Sequence, residues 1–301
     1  MRCSFGASAT LGLLLSFASF LAATDSDSLP DLRIQPLGDS ITQGSGSSHG
    51  NGYRGYLQAR LLLSSNITVD MIGSLRSGRM IDNDHEGHSG KCLAEIAEYW
   101  KLSIASRPNL ILLHAGTNNM DLEVDLDRSP DLIASIIDDI HEEVPDATIL
   151  VAPVIFANER RMNQNSAAFN KDLHEIIVER QRDDRHVLEV PINITRAELA
   201  DKKHPNDQGY LKMAAAWYLA IHEANDRGWL EEPEQVDPTR PENAPGLGSP
   251  EDRIANEVDE VDEVDEGDGS SASKLLVPLV IRRFADVLLT GDLVRSLFMW
   301  R

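Results

Sequence analysis

Between residues 31 and 229, short apolar runs alternate with longer segments in which apolar residues recur at helical spacing. This rhythm is typical of βαβ units with a parallel sheet, whose doubly covered strands are short runs of branched and apolar residues. We predict five strands and five helices. The strands are at 32–37, 69–72, 110–114, 148–154 and 186–190, and the helices at 54–63, 93–102, 130–144, 166–180 and 207–225.

This order of elements predicts one α/β domain over residues 25–230, a three-layer α/β/α sandwich around a flavodoxin-like five-stranded parallel sheet. In the third predicted helix an apolar stripe at helical spacing is interpreted as core. Sheets of this kind place their chemistry beyond the carboxyl ends of the strands. We therefore expect catalytic residues in the loops that follow the strands.

The amino-terminal segment contains an apolar run at residues 11–21, which follows Arg2 and ends in small residues before a polar stretch. This layout predicts a secretory signal peptide over residues 1–24, with a buried helix as the alternative. Sequons at Asn66 and Asn193 agree with export, so we expect a secreted, extracellular glycoprotein. Since Cys92 would be the only cysteine after cleavage, no internal disulfide is expected.

The formal charge of −21 is concentrated near the carboxyl terminus, where residues 231–270 hold 15 of the 49 acidic residues. High like charge with low hydrophobicity predicts a disordered linker over residues 231–273. The sequence contains no basic patch that would indicate binding to nucleic acid, so nucleic acid is not expected as a partner. Residues 274–301 form an amphipathic pattern that is interpreted as a dispensable or poorly ordered tail. The alternative is a cell-surface anchor, but Arg282 and Arg283 interrupt any membrane-span or lipid-anchor signal, so no firm membrane association is expected.

Ser40 lies in the Gly-rich segment 36–44, at the carboxyl tip of the first predicted strand. Flanking glycines allow a tight turn that exposes a hydroxyl, although a serine in such a turn is also an ordinary hydrogen-bonding residue. The segment lacks the G-x-S-x-G pattern of the α/β-hydrolases, so a nucleophilic Ser40 requires partners elsewhere. His204 is a candidate base and Asp201, three positions earlier, a candidate to orient it; the alternative gives Asp201 and Asn206 only capping roles.

Acyl transfer also needs hydrogen-bond donors aimed at the developing oxyanion. Gly90 could offer a backbone N–H just before the second predicted helix, and Asn118 could offer a side-chain amide after the third predicted strand. Each segment by itself is an ordinary loop.

Three further residues or groups invite a functional interpretation. His85, Glu86 and His88 have the wrong spacing for a helical zinc motif, and no metal or other cofactor is expected. His114, at a strand end, is interpreted as a packed or hydrogen-bonded residue. Cys92, at the start of a predicted helix, is interpreted as a lone buried cysteine, with a reactive thiol as the alternative.

Taken in order, four segments resemble the sequence blocks of the SGNH (GDSL-like) hydrolases. They are Gly38-Asp39-Ser40 for block I, Gly90 for block II, Gly116-Thr117-Asn118 for block III, and Asp201 with His204 for block V. The resemblance runs from residue 33 to about residue 216. Residues 35–42, 52–54, 86–90, 112–118 and 204–210 are most similar to carbohydrate esterase family 3, whose members remove acetyl groups from xylan and related polysaccharides.

The resemblance implies that Ser40 attacks the ester carbonyl, His204 transfers the proton and Asp201 orients His204. It also implies an oxyanion hole made by the backbone N–H groups of Ser40 and Gly90 and the side chain of Asn118. Asn119 stands where block III usually has Asp, and Lys91-Cys92 replaces a Trp often found in block II. These departures are expected to change the rim of the site.

We therefore expect a serine esterase that hydrolyses O-acyl esters without a cofactor, with an acetylated polysaccharide such as acetylated xylan as its substrate. One alternative keeps the mechanism but acts on longer acyl chains, as a lipase-like or lysophospholipase-like enzyme. The other alternative is a non-catalytic carbohydrate-binding module.

Overall fold

The structure is a computed structural model, and it describes residues 28–236. The predicted signal peptide, the predicted tail and all but the first residues of the predicted linker lie outside the described residues. Within residues 28–236, no helix combines the length and the apolar character needed to cross a membrane.

The described residues form an α/β fold with a mostly parallel sheet. The strands are β1 (Leu32–Gly38), β2 (Val69–Met71), β3 (Leu75–Arg76), β4 (Asp84–Gly87), β5 (Leu110–His114), β6 (Thr148–Val151) and β7 (Val187–Glu189). The α-helices are α1 (Ser40–Gln43), α2 (Gly52–Ser64), α3 (Leu93–Tyr99), α4 (Thr117–Leu122), α5 (Ser129–Glu143), α6 (Arg160–Arg182) and α7 (Asp207–Asp226). Short 3-10 helices span Trp100–Leu102, Ile104–Ser106, Leu126–Arg128 and Arg196–Glu198.

β1 organises the sheet. On one side it pairs in parallel with β5, which continues through β6 to β7. On the other side it pairs in parallel with two short strands, β2 along its first half and β4 along its second half, and β3 pairs antiparallel with β4. Gly38 is thereby in register with Gly87 on one neighbour and with His114 on the other. The carboxyl ends of β4, β1 and β5 lie side by side.

Alternation along the strands creates the three layers. Leu32 and Ile34 of β1 lie in the apolar core that α2 and α7 cover. Leu37 lies in a second core, on the opposite face, that α3, α5 and α6 cover. Because successive side chains of a strand point to opposite faces, both cores draw on the same strands. The predicted three-layer α/β arrangement is confirmed.

The predicted strands are all present, but the sheet contains two more, β3 and β4, among the described residues. β4 consists of Asp84, His85, Glu86 and Gly87, which are buried although none is apolar. The predicted strand 148–154 was too long: β6 ends at Val151. Pro153 follows soon afterwards, and proline cannot donate to a sheet ladder.

The predicted helices are also present with changed ends. α6 begins at Arg160, six residues earlier than expected, because the Glu159 carboxylate accepts hydrogen bonds from the backbone N–H groups of Arg161 and Met162. The predicted helix 93–102 ends as an α-helix at Tyr99 and continues as a 3-10 helix. α1 and α4 were not predicted, because four and six residues are too few to show helical periodicity.

The first residues of the predicted acidic linker lie against the amino ends of the strands. The Glu234 carboxylate lies 2.6 Å from Arg107 Nε, and its carbonyl accepts a hydrogen bond of 3.0 Å from Arg33 Nη1. Asn109, just before β5, donates a hydrogen bond of 2.6 Å to the Glu231 carbonyl. This edge of the sheet is opposite to the one that carries the candidate site.

Candidate active site

The turn after β1 places Ser40 directly beyond the carboxyl end of the strand, as the first residue of α1. The Asp39 side chain caps α1 by accepting a hydrogen bond of 3.0 Å from the Ile41 N–H. A Cβ at Gly38 would lie 2.1 Å from the His114 carbonyl oxygen, so only glycine allows this close approach to β5. As a first helical residue, Ser40 has a backbone N–H without an acceptor inside the helix.

The segment before α7 forms a closed loop that presents Asp201 and His204. Leu199 and Pro205 form an antiparallel bridge, and the Ala200 N–H donates a hydrogen bond of 2.8 Å to the His204 carbonyl. The Asn206 side chain caps α7 by accepting hydrogen bonds from two backbone N–H groups, so the capping role that the alternative gave to Asn206 is confirmed. This loop is held at both ends.

Ser40, His204 and Asp201 form a continuous hydrogen-bonded chain. Ser40 Oγ lies 2.9 Å from His204 Nε2, and His204 Nδ1 lies 2.7 Å from Asp201 Oδ2. A carboxylate can only accept, so Nδ1 carries the ring proton and Nε2 accepts from the Ser40 hydroxyl. This is the arrangement in which an imidazole can take a proton from a serine.

Asp201 is held as an anion although its side chain is half-exposed. Its other oxygen, Oδ1, accepts backbone hydrogen bonds of 2.9 Å from Lys203 and 2.8 Å from His204. Burial raises the pKa of this carboxyl, but the hydrogen bonds from the His204 ring and from the two backbone N–H groups outweigh burial and lower the pKa to about 2. Asp201 is therefore ionised at neutral pH.

Gly90 and Asn118 are brought together through Lys91. Asn118 Nδ2 donates a hydrogen bond of 2.8 Å to the carbonyl of Lys91, the residue after Gly90. Gly90 has a φ of +77°, which an L side chain rarely adopts, in a turn closed by the hydrogen bond from the Lys91 N–H to the His88 carbonyl. The His88 N–H in turn donates to the Gly38 carbonyl at 2.8 Å, which ties this turn to the strand that ends at Ser40.

Lys203 and Asp121 lie beside the site, and neither was singled out from the sequence. Lys203 Nζ lies 3.0 Å from Asn118 Oδ1 and 2.9 Å from Asp121 Oδ2. Lys203 thus connects the loop of His204 with the segment of Asn118. Its position between Asp201 and His204 was the only signal in the sequence.

Arg54 supports the site from behind. Its guanidinium is fully buried and donates to the carbonyls of Thr42 and Gln43, next to the turn that carries Ser40, and to those of Ser77 and Asn83. Burial lowers the pKa of Arg54 to about 10, so it is charged at neutral pH. The segment Gly52-Tyr53-Arg54 was part of the family resemblance. Arg54 connects the end of α1 to the segment between β3 and β4.

The histidines and the carboxylate around β4 have structural partners. Glu86 is fully buried and accepts hydrogen bonds from Ser74 and Ser103 at 2.5 Å, with His88 Nε2 2.6 Å away. His85 contacts the Ser77 hydroxyl at 2.7 Å. Within residues 28–236, no three His, Cys, Asp or Glu side chains are grouped so that they could hold a metal ion.

His114, Cys92 and Asn119 also have definite surroundings. His114 is fully buried, as its interpretation as a packed residue predicted, and burial lowers its pKa. Cys92 is only half-buried, which corrects the prediction of a buried cysteine; it caps α3, and burial raises its pKa. Asn119 accepts a hydrogen bond of 2.9 Å from the Leu93 N–H and therefore fixes the start of α3.

Comparison with known proteins gives a family match. The model of the GDSL-like lipase/acylhydrolase family matches residues 37–212, a range that contains Ser40, Gly90, Asn118, Asp201 and His204. The multidomain esterase of Ruminococcus flavefaciens is 26% identical in an alignment of 267 positions, which covers 77% of this chain and 34% of that protein. The chain therefore spans about a third of the length of this curated relative.

Solved structures show the same architecture. The Clostridium thermocellum family 3 carbohydrate esterase is 28% identical, with a TM-score of 0.56 over 64% of this chain and 98% of that chain. A family 3 carbohydrate esterase from Talaromyces cellulolyticus is 20% identical, with a TM-score of 0.54 over 65% of this chain and 99% of that chain. The second likeness is one of fold.

Proposed function

Because this chain belongs to the GDSL-like lipase/acylhydrolase (SGNH) family, we propose that it is a serine esterase in which Ser40, His204 and Asp201 hydrolyse O-acyl esters. The observation that carries the proposal is the hydrogen-bonded chain from Ser40 Oγ through His204 to Asp201, with distances of 2.9 and 2.7 Å. A serine hydroxyl is a weak nucleophile until an adjacent base takes its proton. The described contacts supply that base and its orienting carboxylate.

The first half of the reaction acylates Ser40. Ser40 Oγ attacks the ester carbonyl carbon while His204 Nε2 takes the hydroxyl proton, and Asp201 stabilises the resulting imidazolium. The negative charge that develops on the carbonyl oxygen receives hydrogen bonds from the Ser40 and Gly90 N–H groups and from Asn118 Nδ2. The tetrahedral intermediate then expels the alcohol, to which His204 returns the proton.

The second half releases the acid. Water attacks the acyl group on Ser40, and His204 Nε2 takes a proton from that water. A second tetrahedral intermediate forms in the same oxyanion hole. Its collapse breaks the bond to Ser40 Oγ, which regains its proton from His204, and the carboxylic acid leaves.

For the substrate we propose a short acyl group, acetyl, on a polysaccharide such as acetylated xylan. Support comes from the likeness to the family 3 carbohydrate esterase of Clostridium thermocellum, which reaches 28% identity and covers 98% of that chain. The sequence segments around Ser40, Arg54, Gly90, Asn118 and His204 are also those most similar to this esterase family.

Acyl chain length tests the substrate. We expect acetate release from acetylated xylan and, among p-nitrophenyl esters, the highest kcat/KM with the acetate. The value should fall about tenfold or more at the octanoate, because a site that fits an acetyl group discriminates against added methylenes. Ser40→Ala serves as the blank. Turnover of long acyl chains only would refute the carbohydrate substrate in favour of the lipid one. Xylan binding without Ser40-dependent turnover would instead indicate a non-catalytic binding module.

We also propose that the protein acts outside the cell as a glycoprotein. The apolar run at residues 11–21 supports export, and the Asn66 and Asn193 sequons lie on exposed residues.

Export and glycosylation can be measured together. When a eukaryotic host expresses the full chain, we expect the protein in the medium and a loss of mass on treatment with peptide N-glycosidase. Asn66→Gln and Asn193→Gln should each remove part of that loss, and the double variant all of it. Protein retained inside the cell, with no mass change, would refute this proposal.

A further inference from the structure

Lys203 occupies a position between the two halves of the candidate site. Its backbone N–H donates to Asp201 Oδ1 at 2.9 Å, and its ammonium reaches Asn118 Oδ1 at 3.0 Å. The side chain is only 17% exposed. One residue therefore contacts both the carboxylate that orients His204 and the amide expected to face the oxyanion.

The contacts of Asn118 determine which end of its amide faces each neighbour. An ammonium can only donate and a carbonyl can only accept. Lys203 Nζ therefore requires the oxygen of the amide, and the Lys91 carbonyl, at 2.8 Å, requires the nitrogen. Asn118 Nδ2 carries two hydrogens, and the bond to Lys91 uses one of them. Since Nδ2 has no other acceptor in the part of the chain that the structure describes, the second hydrogen is available to a substrate oxygen.

Asp121 holds the Lys203 ammonium in place. The Asp121 side chain is 9% exposed, and its two oxygens contact the ammonium groups of Lys202 and Lys203. Burial raises the pKa of Asp121, but the hydrogen bonds from the two lysines outweigh burial, so the pKa is lowered and the carboxylate stays ionised. A paired, mostly buried lysine keeps a defined geometry better than a free one at the surface.

The charge on Lys203 acts on the same amide. A hydrogen bond from a cation is roughly twice as strong as a neutral one, and hydrogen bonds in series polarise one another. The Lys203 ammonium at Asn118 Oδ1 therefore makes the Nδ2 hydrogens better donors. Donors that are oriented before the reaction stabilise an oxyanion most, since they need no reorganisation when the charge develops.

We propose that Lys203 is a positioning residue that orients and polarises the Asn118 amide toward the oxyanion of the transition state. The inference rests on the proposed esterase function. In this role Lys203 affects kcat through Asn118 and does not contact the substrate.

The chain provides a matched control next to Lys203. Lys202 contacts the same carboxylate, Asp121, but within the described residues its ammonium has no contact with Asn118. Its side chain is 47% exposed. Lys202→Met also removes one positive charge, but the Asn118 amide keeps its contacts with Lys203 and the Lys91 carbonyl. This variant therefore measures how much kcat changes when a neighbouring lysine is lost without a change at Asn118.

The experiment compares kcat and KM for p-nitrophenyl acetate in the full chain, in Lys203→Met, Lys202→Met, Asn118→Ala and the double variant Lys203→Met/Asn118→Ala. Removal of one oxyanion donor lowers kcat by about 10²- to 10³-fold, which is the expected loss for Asn118→Ala. We expect Lys203→Met to lower kcat about tenfold, with KM changed less than about twofold, because the interaction strengthens in the transition state. Lys202→Met should stay within about twofold of wild type, and the double variant within about twofold of Asn118→Ala.

Three outcomes would overturn the inference. In the first, Lys203→Met and Lys202→Met have the same kcat. In the second, the losses of Lys203→Met and Asn118→Ala multiply in the double variant, which would show that Lys203 acts independently of Asn118. In the third, wild type has no Ser40-dependent turnover, which refutes the proposed function as well; the first two leave that function standing. Circular dichroism checks folding, and Lys203→Gln, tested against the same criteria, replaces Lys203→Met if that variant does not fold.

Discussion

Replacing Ser40 by alanine should lower kcat for ester hydrolysis by about 10⁴-fold or more, which corresponds to about 5.4 kcal/mol of lost transition-state stabilisation at 1.36 kcal/mol per tenfold. The substitution removes the only atom that forms the acyl bond in the proposed reaction. Among residues 28–236 the Ser40 hydroxyl makes one hydrogen bond, to His204, so the fold should survive with a loss of about 1 kcal/mol or less. Hydrolysis of p-nitrophenyl acetate and thermal unfolding measure the two effects.

A second serine, in the segment between α1 and α2, provides the control for this substitution. Ser48 is exposed, and its hydroxyl contacts Asp207 at 2.7 Å, away from His204. Ser48→Ala should keep activity within about threefold of wild type, as expected of an exposed side chain outside the site. A fluorophosphonate should label wild type on the peptide that contains Ser40 and leave Ser40→Ala unlabelled. Equal hydrolysis by Ser40→Ala and wild type would refute the nucleophile assignment.

Replacing Asp201 by asparagine should lower kcat by about 10⁴-fold, the size of effect seen when a triad carboxylate becomes an amide. The reason lies in the two backbone hydrogen bonds that Asp201 Oδ1 accepts, from Lys203 and His204. In the variant those N–H groups should keep the amide oxygen, so that the amide nitrogen faces His204 Nδ1. A donor there forces the ring proton onto Nε2, which can then no longer accept from Ser40.

The loop should keep its shape in Asp201→Asn because its backbone contacts are retained, so the loss should appear in kcat and leave thermal stability nearly unchanged. Asp207→Asn is the matched control, since this carboxylate contacts Ser48 and lies outside the hydrogen-bonded chain. We expect its activity within about threefold of wild type. An Asp201→Asn enzyme with more than about a tenth of wild-type kcat would show that another group orients His204.

The sequence predicted the layers of the fold better than the boundaries of its elements. Strands β5 and β6 are mostly apolar, and α5 carries an apolar stripe, so their composition and periodicity indicate burial directly. β4 was missed because Asp84, His85 and Glu86 have no hydrophobic signal. They are buried because each finds a specific polar partner, and such pairings follow from folded geometry.

The candidate site shows the same division. The Asp201–His204 pair could be anticipated because three residues of separation allow a local turn, whereas the Lys203 contact with Asn118 could not. That contact joins residues 85 positions apart, and a lysine beside a histidine has no distinctive pattern.

By itself, the sequence determined which segments are buried on both sides and which polar residues follow the strands, because periodicity and composition act over a few neighbouring residues. Only the tertiary structure decided that Ser40 contacts His204 across 164 positions and that a mostly buried lysine contacts the Asn118 amide oxygen. These long-range contacts depend on strand order and on the packing of loops at one edge of the sheet. They join segments that are distant in the sequence, and each segment by itself has no pattern that identifies its partner.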